Sequence, residues 1–145
     1  FISSTFWTER IGFVAALKTL EVMEKTKSWD QITSIGKNIQ RQLSQLAKKY
    51  ELKINITGLP SLTNFNFAYK NNNKYKTLIT QEMLKKGYLA SNIIYVCTEH
   101  KQEIVSEYLY NLDNVFRMIK ECEEGREIDR ILNVSEARVG FARMN

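Results

Sequence analysis

The residues best suited to chemistry stand at the start of the chain, in Ser3-Ser4-Thr5-Phe6-Trp7-Thr8-Glu9-Arg10-Ile11-Gly12. Hydroxyls gathered just ahead of a helix can meet an anion such as phosphate. The first N–H groups of a helix have no intrahelical partner, and its dipole favours negative charge there. The same hydroxyls can instead serve as helix caps, with Thr8 capping a helix that begins near Glu9. The residue types admit both readings. Elsewhere the chemistry is sparse. His100 is the one histidine, which excludes a dyad or a metal cluster built on several. Beside Glu99 at a helix start, it reads as exposed or capping, since a working base needs a partner placed by the fold. Cys97 and Cys122 have no partner at metal-ligand spacing, and Cys97, ending an apolar strand, reads as buried and inert. The six glycines are scattered, so no phosphate-cradling loop exists. No catalytic residue and no metal ligand is expected in this chain.

The elements that must position these residues follow from periodicity. A first helix carries Ile11, Phe13, Val14, Ala15, Ala16, Leu17, Leu20, Val22 and Met23. Its first half is apolar nearly all round, which predicts a helix buried between other elements. Ser28-Trp29-Asp30-Gln31 has the capping-box form. It opens an amphipathic helix over Trp29 to Tyr50, with Ile32, Ile35, Ile39, Leu43, Leu46 and Tyr50 on one stripe. The period then becomes two. Leu52, Ile54 and Ile56 alternate with polar residues, Gly58-Leu59-Pro60-Ser61 supplies a turn, and Phe65, Phe67 and Tyr69 alternate again. A helix over Tyr75 to Lys86 stops at Lys85-Lys86-Gly87. A third strand is expected within Tyr88 to Cys97. A long helix over Lys101 to Cys122 places Ile104, Tyr108, Leu112, Val115, Phe116 and Ile119 on one stripe, and a short helix follows over Arg126 to Leu132. The order α-α-β-β-α-β-α predicts an α+β fold, a small open sheet covered on one face.

Bulk properties narrow the function classes. The chain has 145 residues, one domain's worth, and 43% of them are hydrophobic, enough for a real core. A net charge of +5 is far below that of a dedicated nucleic-acid module. The aromatic strand Asn64 to Tyr69 could imitate an RNA-stacking surface, but a three-stranded sheet needs that face for its core. No apolar run reaches the ~18 residues of a membrane span, and no secretory signal is present. Two lone thiols fit a reducing cytoplasm. The chain opens at Phe1 without an initiator Met, directly into structured-looking sequence. Together with the all-round apolar first helix, this predicts a segment of a larger protein.

The opening segment, continuing through Ala15-Ala16-Leu17-Lys18-Thr19-Leu20, resembles the class III pyridoxal-phosphate aminotransferases. Within that family it is most similar to glutamate-1-semialdehyde aminomutase and its relatives. The likeness continues through Met83-Leu84-Lys85-Lys86-Gly87-Tyr88-Leu89, Glu99-His100-Lys101 and the helix ending near Ile119. Many members carry glycines before the threonine and Gly-Asn-Pro after it, where this chain has Ser3-Ser4 and Thr8-Glu9-Arg10. The resemblance implies the small C-terminal domain of an aspartate-aminotransferase-like fold. Residues 1–26 would form the junction with a large cofactor-binding domain, and residues 27–145 the small domain. It implies a cytoplasmic homodimer with composite active sites, acting on an amino acid or amino-aldehyde as transaminase or mutase. Thr5, aided by Ser4, would contact the phosphate of pyridoxal phosphate held by the other subunit. The Schiff-base lysine would lie upstream, so the chain alone would be inactive. Two other readings stand beside this one: a non-catalytic ligand- or RNA-binding module, and a structural dimerisation domain.

Overall fold

The computed structural model describes residues 9–137. Four helices and three strands follow in order: α1 (Arg10–Thr26), α2 (Ser28–Lys49), β1 (Ile54–Thr57), β2 (Leu62–Phe67), α3 (Asn72–Leu84), β3 (Ile93–Tyr95) and α4 (Gln102–Glu123), with a 3-10 turn at Ile128–Arg130. The α+β order expected from periodicity is the order observed. The strands form one antiparallel sheet, β1-β2-β3, with Ile56 opposite Phe65 and Thr63 opposite Ile94.

The core lies between one face of this sheet and α2, α3 and α4. Phe65, Leu43, Leu78, Leu112 and Phe116 are fully buried there. Phe67 is its aromatic hub, 5.3 Å from Phe116 and 5.7 Å from Tyr75, both edge to face, a geometry favoured by the ring quadrupoles. Because side chains alternate along a strand, the other face presents Asn55 and Thr57 from β1, Leu62, Asn64 and Asn66 from β2, and Ile93 and Tyr95 from β3. No helix covers that face among the described elements.

Local chemistry sets the boundaries. Lys27 adopts a left-handed conformation (φ 47°) and separates α1 from α2. Ser28 therefore falls inside α2 and makes no capping bond, so the capping box is not realised. Gln31 Nε2 instead donates to Thr26 O at 2.7 Å. α3 starts at Asn72, three residues ahead of the expected Tyr75, because Asn72 Oδ1 accepts the Phe67 N–H at 2.8 Å and ties the helix start to the end of β2. Gly87 (φ 85°) follows the end of α3 as the stop signal predicts.

α1 has no buried residue: Ile11 is 78% exposed and Leu17 69%, since nothing among the described residues packs over its outer faces. Two burial expectations are corrected. The stripe of α4 runs through Val105 and Leu109 rather than Ile104, which is 47% exposed. Cys97 is exposed, because β3 ends two residues before it. Tyr69 likewise falls outside β2. It packs edge to face on Tyr75 and accepts the Lys53 N–H at 2.9 Å. Among the described residues no helix is long and apolar enough to cross a membrane.

Candidate functional site

Thr5 and Ser4, the expected phosphate contacts, lie outside the described residues, as does Thr8. At the boundary, Glu9 is the N-cap of α1, extended and without a side-chain capping bond.

His100 closes a turn. Its N–H donates to Cys97 O at 3.1 Å and its Nδ1 accepts the Cys97 N–H at 3.4 Å. Among the described residues no carboxylate hydrogen-bonds to the ring, so none of them orients it as a general base. Burial pushes the Cys122 thiol up, which makes it a poorer nucleophile. No group of His, Cys, Asp and Glu among the described residues could hold a metal ion. No described lysine is buried. Lys49 is raised above the ordinary lysine value by Asp113, whose carboxylate lies 2.6 Å away, and by Tyr50. Lys120, against its own desolvation, is raised by Glu124 and Glu51. A lysine that attacks a carbonyl needs the opposite, a depressed value. Lys49 and Lys120 are thus not activated in that sense. The rings of the aromatic strand are in the core, with Phe65 0% and Phe67 4% exposed, and not on an RNA-stacking surface.

The most organised polar constellation is one that periodicity did not single out. Asn92 is 7% exposed. Its Nδ2 donates to Asn64 Oδ1 at 3.1 Å and to Asn66 Oδ1 at 3.0 Å. Its Oδ1 accepts from Ser91 Oγ at 3.1 Å, and Asn66 Nδ2 donates to Asn64 Oδ1 at 3.1 Å. Strand β2 supplies Asn64 and Asn66 two residues apart, hence on one face, and the turn into β3 supplies Asn92. The available signal was the pair of amides flanking Phe65, at Asn64 and Asn66. A second feature is a cavity of ≈ 340 Å³ beside the outer edge of β3, lined by Tyr88, Ile94, Ile104 and Tyr108 among others. Its lining is mainly apolar, and Tyr108 Oη is itself buried with no hydrogen-bond partner.

This architecture is found in enzymes that carry pyridoxal phosphate. The fold matches the structure of the PLP internal aldimine form of the FumI protein from Sphingopyxis sp. MTA144, with a TM-score of 0.74 and 19% identity, over 91% of this chain and 32% of that one. In sequence the chain is 26% identical over 110 residues to 3-aminobutyryl-CoA aminotransferase of Cloacimonas acidaminovorans (strain Evry), which is 71% of this chain and 26% of that enzyme. The chain thus spans roughly a quarter to a third of the proteins it resembles. No protein-family model matches it. The resemblance to pyridoxal-phosphate aminotransferases is borne out by the sequence relative, an aminotransferase, and the shared fold agrees with it.

Proposed function

We propose that this chain is the C-terminal portion of a class III pyridoxal-phosphate aminotransferase or aminomutase, acting in the cytoplasm on an amino acid or amino-aldehyde. The observation that carries the reading is the coverage: nine-tenths of this chain aligns with a third of a cofactor-bearing enzyme. In this reading the Schiff-base lysine lies upstream of the chain. When bound, the cofactor supplies an electron sink for a developing carbanion. The chain's own share is positional. Thr5, with Ser4 beside it, donates to the cofactor phosphate across the interface of a homodimer. Residues 27–145 cover the substrate.

The exposed apolar surface of α1 supports the division at residue 26, because such a helix is stable in water only when another surface covers it. In this reading the cofactor-binding domain covers it. The same surface is what favours the structural-dimerisation alternative, and one experiment separates the two. Pyridoxal phosphate is titrated into the intact apo-protein and into its Thr5→Ala and Thr5→Ser variants. A charge-assisted hydrogen bond is worth about 1.5–3 kcal/mol, so Thr5→Ala weakens binding roughly 10- to 100-fold, while Thr5→Ser keeps most of it. In mixed dimers the affected site is the one on the wild-type chain. An intact protein that takes up no cofactor leaves the dimerisation reading in place. Thr5→Ala affinity within about twofold of wild type reduces Thr5 to a turn-shaping residue.

A further inference from the structure

After the 3-10 turn, the chain from Ile131 to Ala137 runs along α3 without forming a helix or strand of its own. Among the described residues, no main-chain group of residues 133–137 bonds to another main-chain group. Main-chain donors and acceptors that leave water need partners, and here the side chains of α3 supply them. Gln81 Nε2 donates to Ile131 O at 2.9 Å, and Gln81 Oε1 accepts the Asn133 N–H at 2.6 Å. One amide thus holds the backbone on both sides of Leu132. Thr77 Oγ1 accepts the Ala137 N–H at 2.9 Å, and Asn73 Nδ2 donates to Ala137 O.

Asn73, Thr77 and Gln81 follow one another at intervals of four, so they stand in a row on one face of α3. Two of them are fixed in the sense they need. Gln81 Nε2 also donates to Glu82 Oε1 at 2.7 Å. A flipped amide would set its oxygen against that carboxylate and against Ile131 O. Thr77 spends its own hydrogen on Asn73 O at 3.0 Å, which leaves a lone pair for the Ala137 N–H. The row touches the segment through backbone atoms only. Ile131 and Leu132 pack on the core, but residues 133–136 are exposed. Where a peptide is recognised in this way, main-chain bonds give affinity and side-chain pockets give specificity. Beyond Leu132, α3 offers the bonds without the pockets.

We propose that Asn73, Thr77 and Gln81 form a binding site for peptide main chain, that residues 131–137 fill it as a strap, and that it reads the strap's backbone rather than its side chains beyond Leu132. The strap is then a clasped segment, pinned at Leu132 and again at Ala137 beside the first turn of α3, and free between. Hydrogen exchange of the intact protein, resolved to single amides, tests this. The Asn133 and Ala137 N–H groups are expected to exchange roughly 3- to 10-fold more slowly than in a free peptide of the same sequence. Gln81→Ala returns Asn133 to the free-peptide rate, and Thr77→Val does the same for Ala137. Thr77→Ser, which keeps the hydroxyl, keeps the protection. Asn133→Ala, Val134→Ala and Glu136→Ala leave both clasps within about twofold of wild type. The Phe65 N–H, bonded to Asn92 O at 2.9 Å in the core, serves as internal control and stays slow throughout. Free-peptide rates at Asn133 and Ala137 in the wild type overturn the proposal, as does a loss of protection in Val134→Ala or Glu136→Ala. So does a Gln81→Ala variant that speeds Phe65 as much as Asn133, which would make Gln81 a general structural residue.

Discussion

A Cβ placed on Gly36 would lie 1.9 Å from the carbonyl oxygen of Pro60. The turn between β1 and β2 is therefore seated directly on the backbone of α2, and glycine is the residue that lets it. Gly36→Ala should lower stability by about 1–3 kcal/mol, although alanine is the better helix former. Gly12→Ala, with nothing within 4 Å of the added carbon and on a helix with no buried residue, should stay within ~0.5 kcal/mol of wild type. Urea unfolding midpoints would separate the two; a neutral Gly36→Ala would mean that the turn shifts at little cost.

Two tyrosines with buried hydroxyls should respond oppositely to loss of the hydroxyl. Tyr75 Oη donates to the Glu123 carboxylate and ties α3 to the end of α4. Tyr75→Phe should cost about 1.5–3 kcal/mol, the range for a bond to a charged group. Tyr108 Oη is buried without a partner, so Tyr108→Phe should be neutral or stabilising by up to ~1 kcal/mol. Equal losses at both positions would contradict this account.

The same tyrosines set an alkaline limit. Burial first, and then the Glu123 hydrogen bond, raises Tyr75 above the ordinary value of 10.0; burial raises Tyr108 likewise. With the folded value above the unfolded one, the unfolded chain loses these protons first. The stabilisation they preserve is complete below about pH 10 and declines as pH rises beyond it, by up to ~1.4 kcal/mol per unit for each group. Denaturant midpoints from pH 8 to 11 should be flat and then fall, and Tyr75→Phe should flatten the fall. A decline already present at pH 8 would point to other groups.

Substitutions on α1 should barely affect unfolding. Phe13→Ser and Leu17→Ser remove side chains that are 61% and 69% exposed, and a cost within ~0.5 kcal/mol is expected. Leu43→Ala, at a fully buried position, should cost about 2–5 kcal/mol. Light scattering should fall in the α1 variants as apolar surface is withdrawn. A large loss of stability from Leu17→Ser would show that α1 packs on this chain.

Much of the architecture was legible because its signals are local. The 3.6-residue stripe of α2 and the two-residue alternation around Phe65 and Phe67 give element type and inward face at once, and both stand. The stripe of α4 was misread in its first turns, where Ile104 and Val105 are adjacent β-branched residues and only packing decides which faces inward. α1 illustrates a different limit: composition says that it must be covered, but nothing among the described residues covers it. The amide cluster was illegible for a third reason. Asn64 and Asn66 are visible as an alternation, but their partner Asn92 is brought in by β3, and no spacing rule spans the intervening helix. Thr5 and Ser4 were reached through resemblance, and the described residues leave them as an expectation.

Strand order in the sheet is the same as strand order in the chain. Each pairing closes the gap between consecutive strands, one by the Gly58–Ser61 turn and one by a return through α3. The hairpin can close in about 1–10 μs, and the chain entropy lost in joining strands grows only slowly with the length between them. Low topological complexity of this kind goes with fast folding. Since the core lies wholly between Ile39 and Ile128, this unit can assemble during synthesis without waiting for α1 to find its cover.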